Sequence, residues 1–457
     1  MALTGRLRAF LAPLNAEKRR ILRARWESLP EELQTPHQIS GRQFTHCGFT
    51  TGASYCSFHC THCYLPENAN AAPIPSLAEM REQIDANRRF LGPGGGFQIT
   101  GGDVADAYWR AGRGDELVEI VRYSVAAGLV PILMTHGQTL IEQPAFLERL
   151  AVVGGLRQVS IHIDMTQAGR RGFPIQRVAS EADLHPVREA FTQLALALQA
   201  RTGIALRYAL TCTVTRRNLA FIPEVLRWYF ADPERTRLWR KLSFQPEADT
   251  GRTHFSSEPV TPAMVWEKIC EGVGLPLDRD GARFGHPDCN SWAPVLVARL
   301  SGKVLPLLPR DAGTRRLMGE LLRVIGGISL APDDAPHFPQ RLAGALARHP
   351  VLTLRLLARF ARLMVNGTLP AHFVRAWLRG EAHPVSIYMH NFMSAAEVAA
   401  GASNPTIQAR LQACVFKGAV KHDGAWTAVP MCSMNEAQWR AILDRRIAAR
   451  TEPAGVE

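Results

Sequence analysis

Tyr55-Cys56-Ser57-Phe58-His59-Cys60-Thr61-His62-Cys63-Tyr64 carries three cysteines spaced C-x3-C-x2-C. Thiolates at these separations wrap a loop around one soft-metal centre. Tetrahedral zinc and iron–sulfur clusters are the two sites that favour several thiolates. Three ligands rather than four is the informative part. An iron–sulfur cube held by three thiolates leaves one iron without a protein ligand, open to a substrate or cofactor. The competing reading is a structural zinc site completed by His59, His62 or a distant cysteine. Spacing alone leaves both open.

The surrounding chain alternates strand-like and helix-like stretches. Residues 77–91 read as a helix opened by Pro75 and Ser76. Strand-like 95–100 ends in Gly101-Gly102-Asp103, and 115–127 is helical. Strand 129–134 ends in Thr135-His136-Gly137, and 146–153 is helical. Strand 157–163 ends in Asp164, and a long helix spans 181–200. Strand 204–214, helix 222–230 and strand 241–245 complete the series. Strands separated by helices indicate parallel βα units. Six units over residues 41–250 predict an α/β fold, a partial (β/α)6 TIM-like barrel with its chemistry at the C-terminal ends of the strands. Those ends carry Cys56, Gly101, Gly102, Asp103, Thr135, Ser160, His162, Asp164, Thr211 and Gln245. Ser160, His162 and Asp164 alternate with Val159, Ile161 and Ile163, so they share one face. That face either lines a pocket or is a polar layer bonded to itself.

Gly-Gly lets backbone approach a ligand closely, and a following carboxylate can receive an ammonium group. The cysteine loop, followed by one helix, one strand and Gly101-Gly102-Asp103, resembles the radical S-adenosylmethionine (radical SAM) enzymes. In that family three cysteines hold a 4Fe-4S cluster whose open iron chelates the amino and carboxylate groups of SAM. One electron cleaves SAM to a 5′-deoxyadenosyl radical, which abstracts a hydrogen atom. The resemblance implies that Cys56, Cys60 and Cys63 hold the catalytic cluster and that Gly101 and Gly102 seat SAM. Asp103 stands where the family has a glutamate that contacts the SAM amino group. Thr135-His136-Gly137 resembles the family's Thr-Asn-Gly. His62, Thr135, Ser160, His162, Asp164 and Gln245 are the further expected cofactor-binding residues. An electron donor such as flavodoxin or ferredoxin is implied.

Residues 251–457 read as a C-terminal domain. Cys289 lies in a tight turn, 296–307 resembles a hairpin, and Cys414 and Cys432 flank a second hairpin. These three thiols are the expected ligands of a second, auxiliary 4Fe-4S cluster. Cys47, Cys270 or a non-cysteine group would be the fourth. The alternative is three buried cysteines acting as small hydrophobes; Cys212, inside an apolar strand, reads that way. Met389-His390-Asn391-Phe392-Met393, Arg410 to Cys414, Gly424 to Cys432 and His286-Pro287-Asp288-Cys289 resemble blocks of the tetraether lipid synthases and their relatives. That resemblance implies a lipid-like or otherwise apolar substrate.

The chain of 457 residues is 46% hydrophobic and 21% charged, which excludes a disordered protein. Residues 1–40 read as a basic helical arm. No long apolar run or clear signal peptide is present, and nine cysteines are too sparse for a disulfide scaffold, so a cytoplasmic protein is expected. The net charge of +12 suits an anionic partner. Between Arg341 and Arg379 lie seven arginines and no acidic residue. Arg348, Arg355, Arg359 and Arg362 fall on one stripe of a helix whose remaining surface is apolar. Such a helix suits peripheral contact with the inner face of a membrane, or burial against the barrel with its arginines at the rim. A radical SAM enzyme acting on a peptide or nucleic acid is the second expectation. A zinc-stapled nucleic-acid-binding protein is the opposed class, although aromatics are not interleaved with the basic runs as a base-stacking groove requires.

Overall fold

The computed structural model describes residues 16–28, 30–31, 47–253, 258–281, 285–299, 301–308, 311–325, 338–366, 369–434 and 437–451. Of the expected N-terminal arm, the helix Ala16–Glu27 falls within them; residues 1–15 and 32–40 lie outside.

The described strands form one sheet. They are β1 (Cys47–Phe49), β2 (Gly96–Ile99), β3 (Val130–Thr135), β4 (Gln158–His162), β5 (Arg207–Val214), β6 (Trp239–Pro246), β7 (Asn290–Ala298), β8 (Val304–Pro306), β9 (Ala382–His390), β10 (Phe416–His422) and β11 (Ala425–Pro430). Their order is β11-β10-β1-β2-β3-β4-β5-β6-β9-β7-β8. The run from β10 through β9 is parallel throughout. The result is a mixed α/β architecture dominated by a large parallel sheet, with β1 to β6 adjacent in chain order.

Helices connect the central strands because the sequence both starts and stops them. The Ser76 hydroxyl accepts from the Glu79 amide to open Leu77–Leu91, which buries Met80, Ile84 and Leu91. His185–Thr202 ends at Gly203, whose φ of 72° suits glycine. The register places Ile99, Leu133, Val159, Tyr208 and Trp239 in one row across five strands, each at most 2% exposed. A neighbouring row, His162, Thr211, Ser243 and Tyr388, is polar. The sheet therefore has an apolar face under the helices and polar groups on the other.

The sheet is also curved. The His390 ring, ending β9, lies 5.1 Å from the Phe416 ring, which starts β10, although six strands separate β9 from β10 in the sheet. The boundary expected at residue 250 does not divide this sheet, since β7 to β11 all join it. The last helix, Ala437–Thr451, places Trp439 and Leu443 with Phe49, Leu65 and Val420 in one apolar cluster.

Among the described residues between β8 and β9 are four helices: Ala312–Ile325, Phe338–Ala347, Pro350–Val365 and Ala371–Leu378. The single arginine-striped helix expected from sequence is two. Pro350 cannot continue a preceding helix and opens the next, leaving Arg348 in the turn. The stripe itself is partly used within the fold. Arg355 pairs with Glu320 at 2.6 Å and Arg359 with Asp311 at 2.5 Å. Among the described residues, no helix is long and apolar enough to cross a membrane.

Candidate functional site

The cysteine loop leaves the C-terminal end of β1 and is fastened by segments following three other strands. The first is the end of β2. Gly102 N donates to Ala53 O at 2.8 Å and Asp103 N to Tyr55 O at 2.9 Å. A Cβ on Gly101 would lie 2.2 Å from Ala53 O, and one on Gly102 would lie 2.1 Å from Ser54 O. Sequence reading gives these glycines to a ligand. The structure gives their open side to the backbone that launches the cysteine loop. The second fastening is the loop after β4, where Ala168 O accepts from His59 N at 2.7 Å. The third follows β6, where Arg252 N donates to Cys63 O at 2.8 Å. Two side chains complete the frame. Asn70 bonds both backbone groups of Cys56 at 3.0 Å, and Asp106 Oδ2 accepts from Ser57 N at 3.0 Å.

Cys56, Cys60 and Cys63 are free thiols, partly exposed. Burial pushes the Cys60 thiol up to about 12, and the charges of Cys63 and Asp164 add to the rise. Burial, then Asp103, then the two other thiols push Cys56 higher still. The thiols therefore sit close enough to repel one another once ionised. Two guanidinium groups stand against them. Arg252 Nη2 donates to Cys63 Sγ at 3.2 Å. Arg170, 4% exposed, lies over the Phe58 ring at 5.2 Å, and Phe58 stacks on His136 at 3.7 Å. Burial draws Arg170 down to about 10, opposed by Cys60 and Asp164, so it stays charged at neutral pH. Its Nε and Nη1 are buried without a hydrogen-bond partner.

The other expected residues divide between pocket and scaffold. Asp103 is scaffold. Its Oδ1 caps the helix Val104–Arg110 through Asp106 N at 2.8 Å. Its Oδ2 accepts from Thr135 Oγ1 at 2.7 Å and His136 N at 2.6 Å. At 1% exposure the carboxylate is enclosed by these internal donors. Thr135 shares that network by accepting from Gly137 N. Ser160 bonds Thr211 at 2.9 Å, and His162 Nε2 lies 2.7 Å from Asp164 and 3.1 Å from Thr213 Oγ1. Asp164 also accepts from Thr166 N and Thr213 N, each at 2.8 Å. The β4 polar face is thus bonded within the sheet, with His162 its more exposed member. Gln245, half-buried, pairs in register with Thr213. His62 places Nδ1 on Thr61 at 2.8 Å and Nε2 on Glu247 at 2.8 Å, so both its nitrogens have partners.

A second group of thiols forms from distant segments. Cys289 precedes β7, Cys414 precedes β10 and Cys432 follows β11. Burial pushes Cys289 up to about 11, against the neighbouring charge of Arg410, while Cys414 adds to the rise. Cys432 is raised further by burial and then by Cys414. Arg410 also donates to Asn391 O at 3.1 Å, and Met393 N to Cys432 Sγ at 3.5 Å. Cys47 pairs in register with Phe416, two residues beyond Cys414; its side chain lies outside the described residues. Cys270 packs against the main core, and its Sγ accepts from Leu277 N at 3.4 Å. Cys212 is fully buried in β5.

Asn70, Asp106 and Arg252 are missing from the sequence reading. Arg252 lies just beyond the end of β6, a position that could have singled it out. Asn70 carries no local signal. Among the described residues, no group of three or more His, Cys, Asp or Glu is arranged to hold a metal ion as it stands.

No protein-family model matches the chain, and no curated protein matches it. Among solved structures, it is similar to a beta-glycosidase, BGL167, at 11% identity over 62% of this chain and 96% of that chain, with a TM-score of 0.24. That likeness is too slight to carry an argument about fold or activity.

Proposed function

We propose that this chain is a radical SAM enzyme with a (β/α)6 barrel of that family's type, acting on an unactivated carbon of an apolar, lipid-like substrate. The observation that carries the reading is the cysteine loop. Three thiols stand at the C-terminal end of a parallel sheet, fastened by segments that follow β2, β4 and β6, with two arginines against the sulfurs. This donor set fits a 4Fe-4S cluster. The thiolates and sulfides of such a group carry excess negative charge, and Arg252 and the unpartnered nitrogens of Arg170 supply the opposite sign. A zinc site completed by His62 fits less well, since Thr61 and Glu247 take both ring nitrogens.

Cys56, Cys60 and Cys63 would hold the cluster. When bound, it would supply the electron that reductively cleaves SAM to the 5′-deoxyadenosyl radical, the species that abstracts hydrogen from substrate. The protein's own part is to hold and enclose. Asn70 and Asp106 fix the loop, while Phe58, His136 and Arg170 form a stacked wall beside it. His162 and the hydroxyls of Thr211 and Ser243 offer polar groups on the same side of the sheet. Cys289, Cys414 and Cys432 would hold a second cluster, and a flavodoxin or ferredoxin would deliver electrons.

Anaerobic purification with iron and sulfide tests the reading. A brown protein absorbing near 400 nm that releases 5′-deoxyadenosine from SAM under reducing conditions is expected. A colourless protein holding stoichiometric zinc would overturn it.

A further inference from the structure

The helices Pro350–Val365 and Ala371–Leu378 expose apolar side chains to an extent unmatched in the rest of the described fold. Eight large apolar side chains among the described residues are more than half exposed. Six of them lie here: Val351, Leu354, Leu357, Val365, Trp377 and Leu378. At about 100° per residue the four on the first helix span an arc of about 120°, running some 21 Å along its axis. The opposite side is inward. Leu352 is buried there, and Arg355 and Arg359 tie the helix to Glu320 and Asp311. The exposed arc is therefore the free face of a helix held in place, rather than one that has failed to dock.

Charge decides what covers it. Arg362 borders the arc, and Arg375 and Arg379 flank Trp377 and Leu378. All three arginines are exposed and have no acidic partner among the described residues. A second copy of the chain docking face to face would bring these cations together, at a cost in repulsion. An anionic bilayer gives the apolar arc an acyl interior and the guanidinium groups phosphates. Trp377 suits that boundary, being apolar with one polar edge.

We infer that these two helices dock the protein on an anionic lipid surface. The surface stands independently of what the cysteines hold. It is placed by Phe373, which packs with Ala382 at the start of β9, on the edge of the sheet opposite to the end where the cysteine loop emerges.

Flotation of the full chain with vesicles of phosphatidylcholine, with and without phosphatidylglycerol, tests this. The protein is expected to float with the mixed vesicles and weakly with the neutral ones. Arg362→Gln, Arg375→Gln and Arg379→Gln together should weaken binding to mixed vesicles on the order of 100-fold, from roughly fivefold per arginine. Leu354→Gln, Leu357→Gln and Trp377→Gln together should remove flotation on both while leaving circular dichroism unchanged, since these side chains are exposed. Equal flotation of parent and variants, or no flotation of the parent, overturns the inference. So does concentration-dependent self-association of the parent, seen by sedimentation, that the apolar variants abolish while vesicle binding is absent.

Discussion

The molecule gathers cysteines twice, by opposite means. Cys56, Cys60 and Cys63 share one loop, so their proximity is guaranteed by chain connectivity and refined by fastenings from β2, β4 and β6. Cys414 and Cys432 flank the β10–β11 hairpin, but Cys289 lies more than one hundred residues before either, and the curvature that brings β9 to β10 unites them. Each group has its own arginine, Arg252 in the first and Arg410 in the second. A local group survives strain elsewhere in the fold. An assembled group exists only while the sheet is intact, and it reports on that integrity.

Paired substitutions separate the two most sharply. Cys60→Ala should reduce 5′-deoxyadenosine formation to background and remove the iron held by the first group. Cys432→Ala should remove about half of the iron yet leave measurable SAM cleavage. Equal loss of cleavage in both variants would make the groups one functional unit.

The fastenings provide the next test. Asp103→Ala removes a helix cap and two hydrogen bonds to a buried carboxylate, and should cost about 3–5 kcal/mol of stability in denaturant unfolding. A variant of unchanged stability with weakened SAM binding would return Asp103 to the ligand and break the scaffold assignment.

Acid should loosen the assembled group. Burial draws His390, beside Phe416, down to about 4, and also His383 on the same strand. Both must take up a proton on unfolding at any pH between their folded values and about 6.5, so the unfolded state binds more protons across that window. Stability is intact above pH 6.5, falls as pH drops through it and levels off near 4, with a loss of up to about 3 kcal/mol for each histidine. His390→Gln should remove its own share of that acid loss and leave the share of His383, measured by thermal unfolding across that range.

The smallest effect belongs to Arg252→Gln. Loss of a charged donor to Cys63 should lower the potential of a bound cluster by roughly 50–100 mV, the equivalent of about 1–2 kcal/mol for one electron. An unchanged potential in a potentiometric titration would remove that arginine from the electrostatic comparison.

Much of the central sheet is legible in the sequence because each strand ends where a glycine, threonine or acid breaks its apolar run. The first cysteine group is legible for the same local reason. Gly101 and Gly102 show the limit. A sequence reveals that close approach is permitted, and only the fold reveals that the backbone of Ala53 and Ser54 makes one. β9 was hidden because its parallel partner, β6, lies more than 130 residues earlier. The arginine stripe misleads for a related reason. Its spacing fits one helix, but Glu320 and Asp311, which claim two of its members, lie on another element.

β9 spans nine residues, from Ala382 near the apolar helices to His390 near the second cysteine group, roughly 26 Å at about 3.3 Å per step. A protein resting on lipid through those helices would hold its reactive end aloft, facing the water. On the proposed function, a greasy substrate would then have to be lifted clear of its leaflet or handed over by a carrier, rather than slide in sideways from the membrane plane.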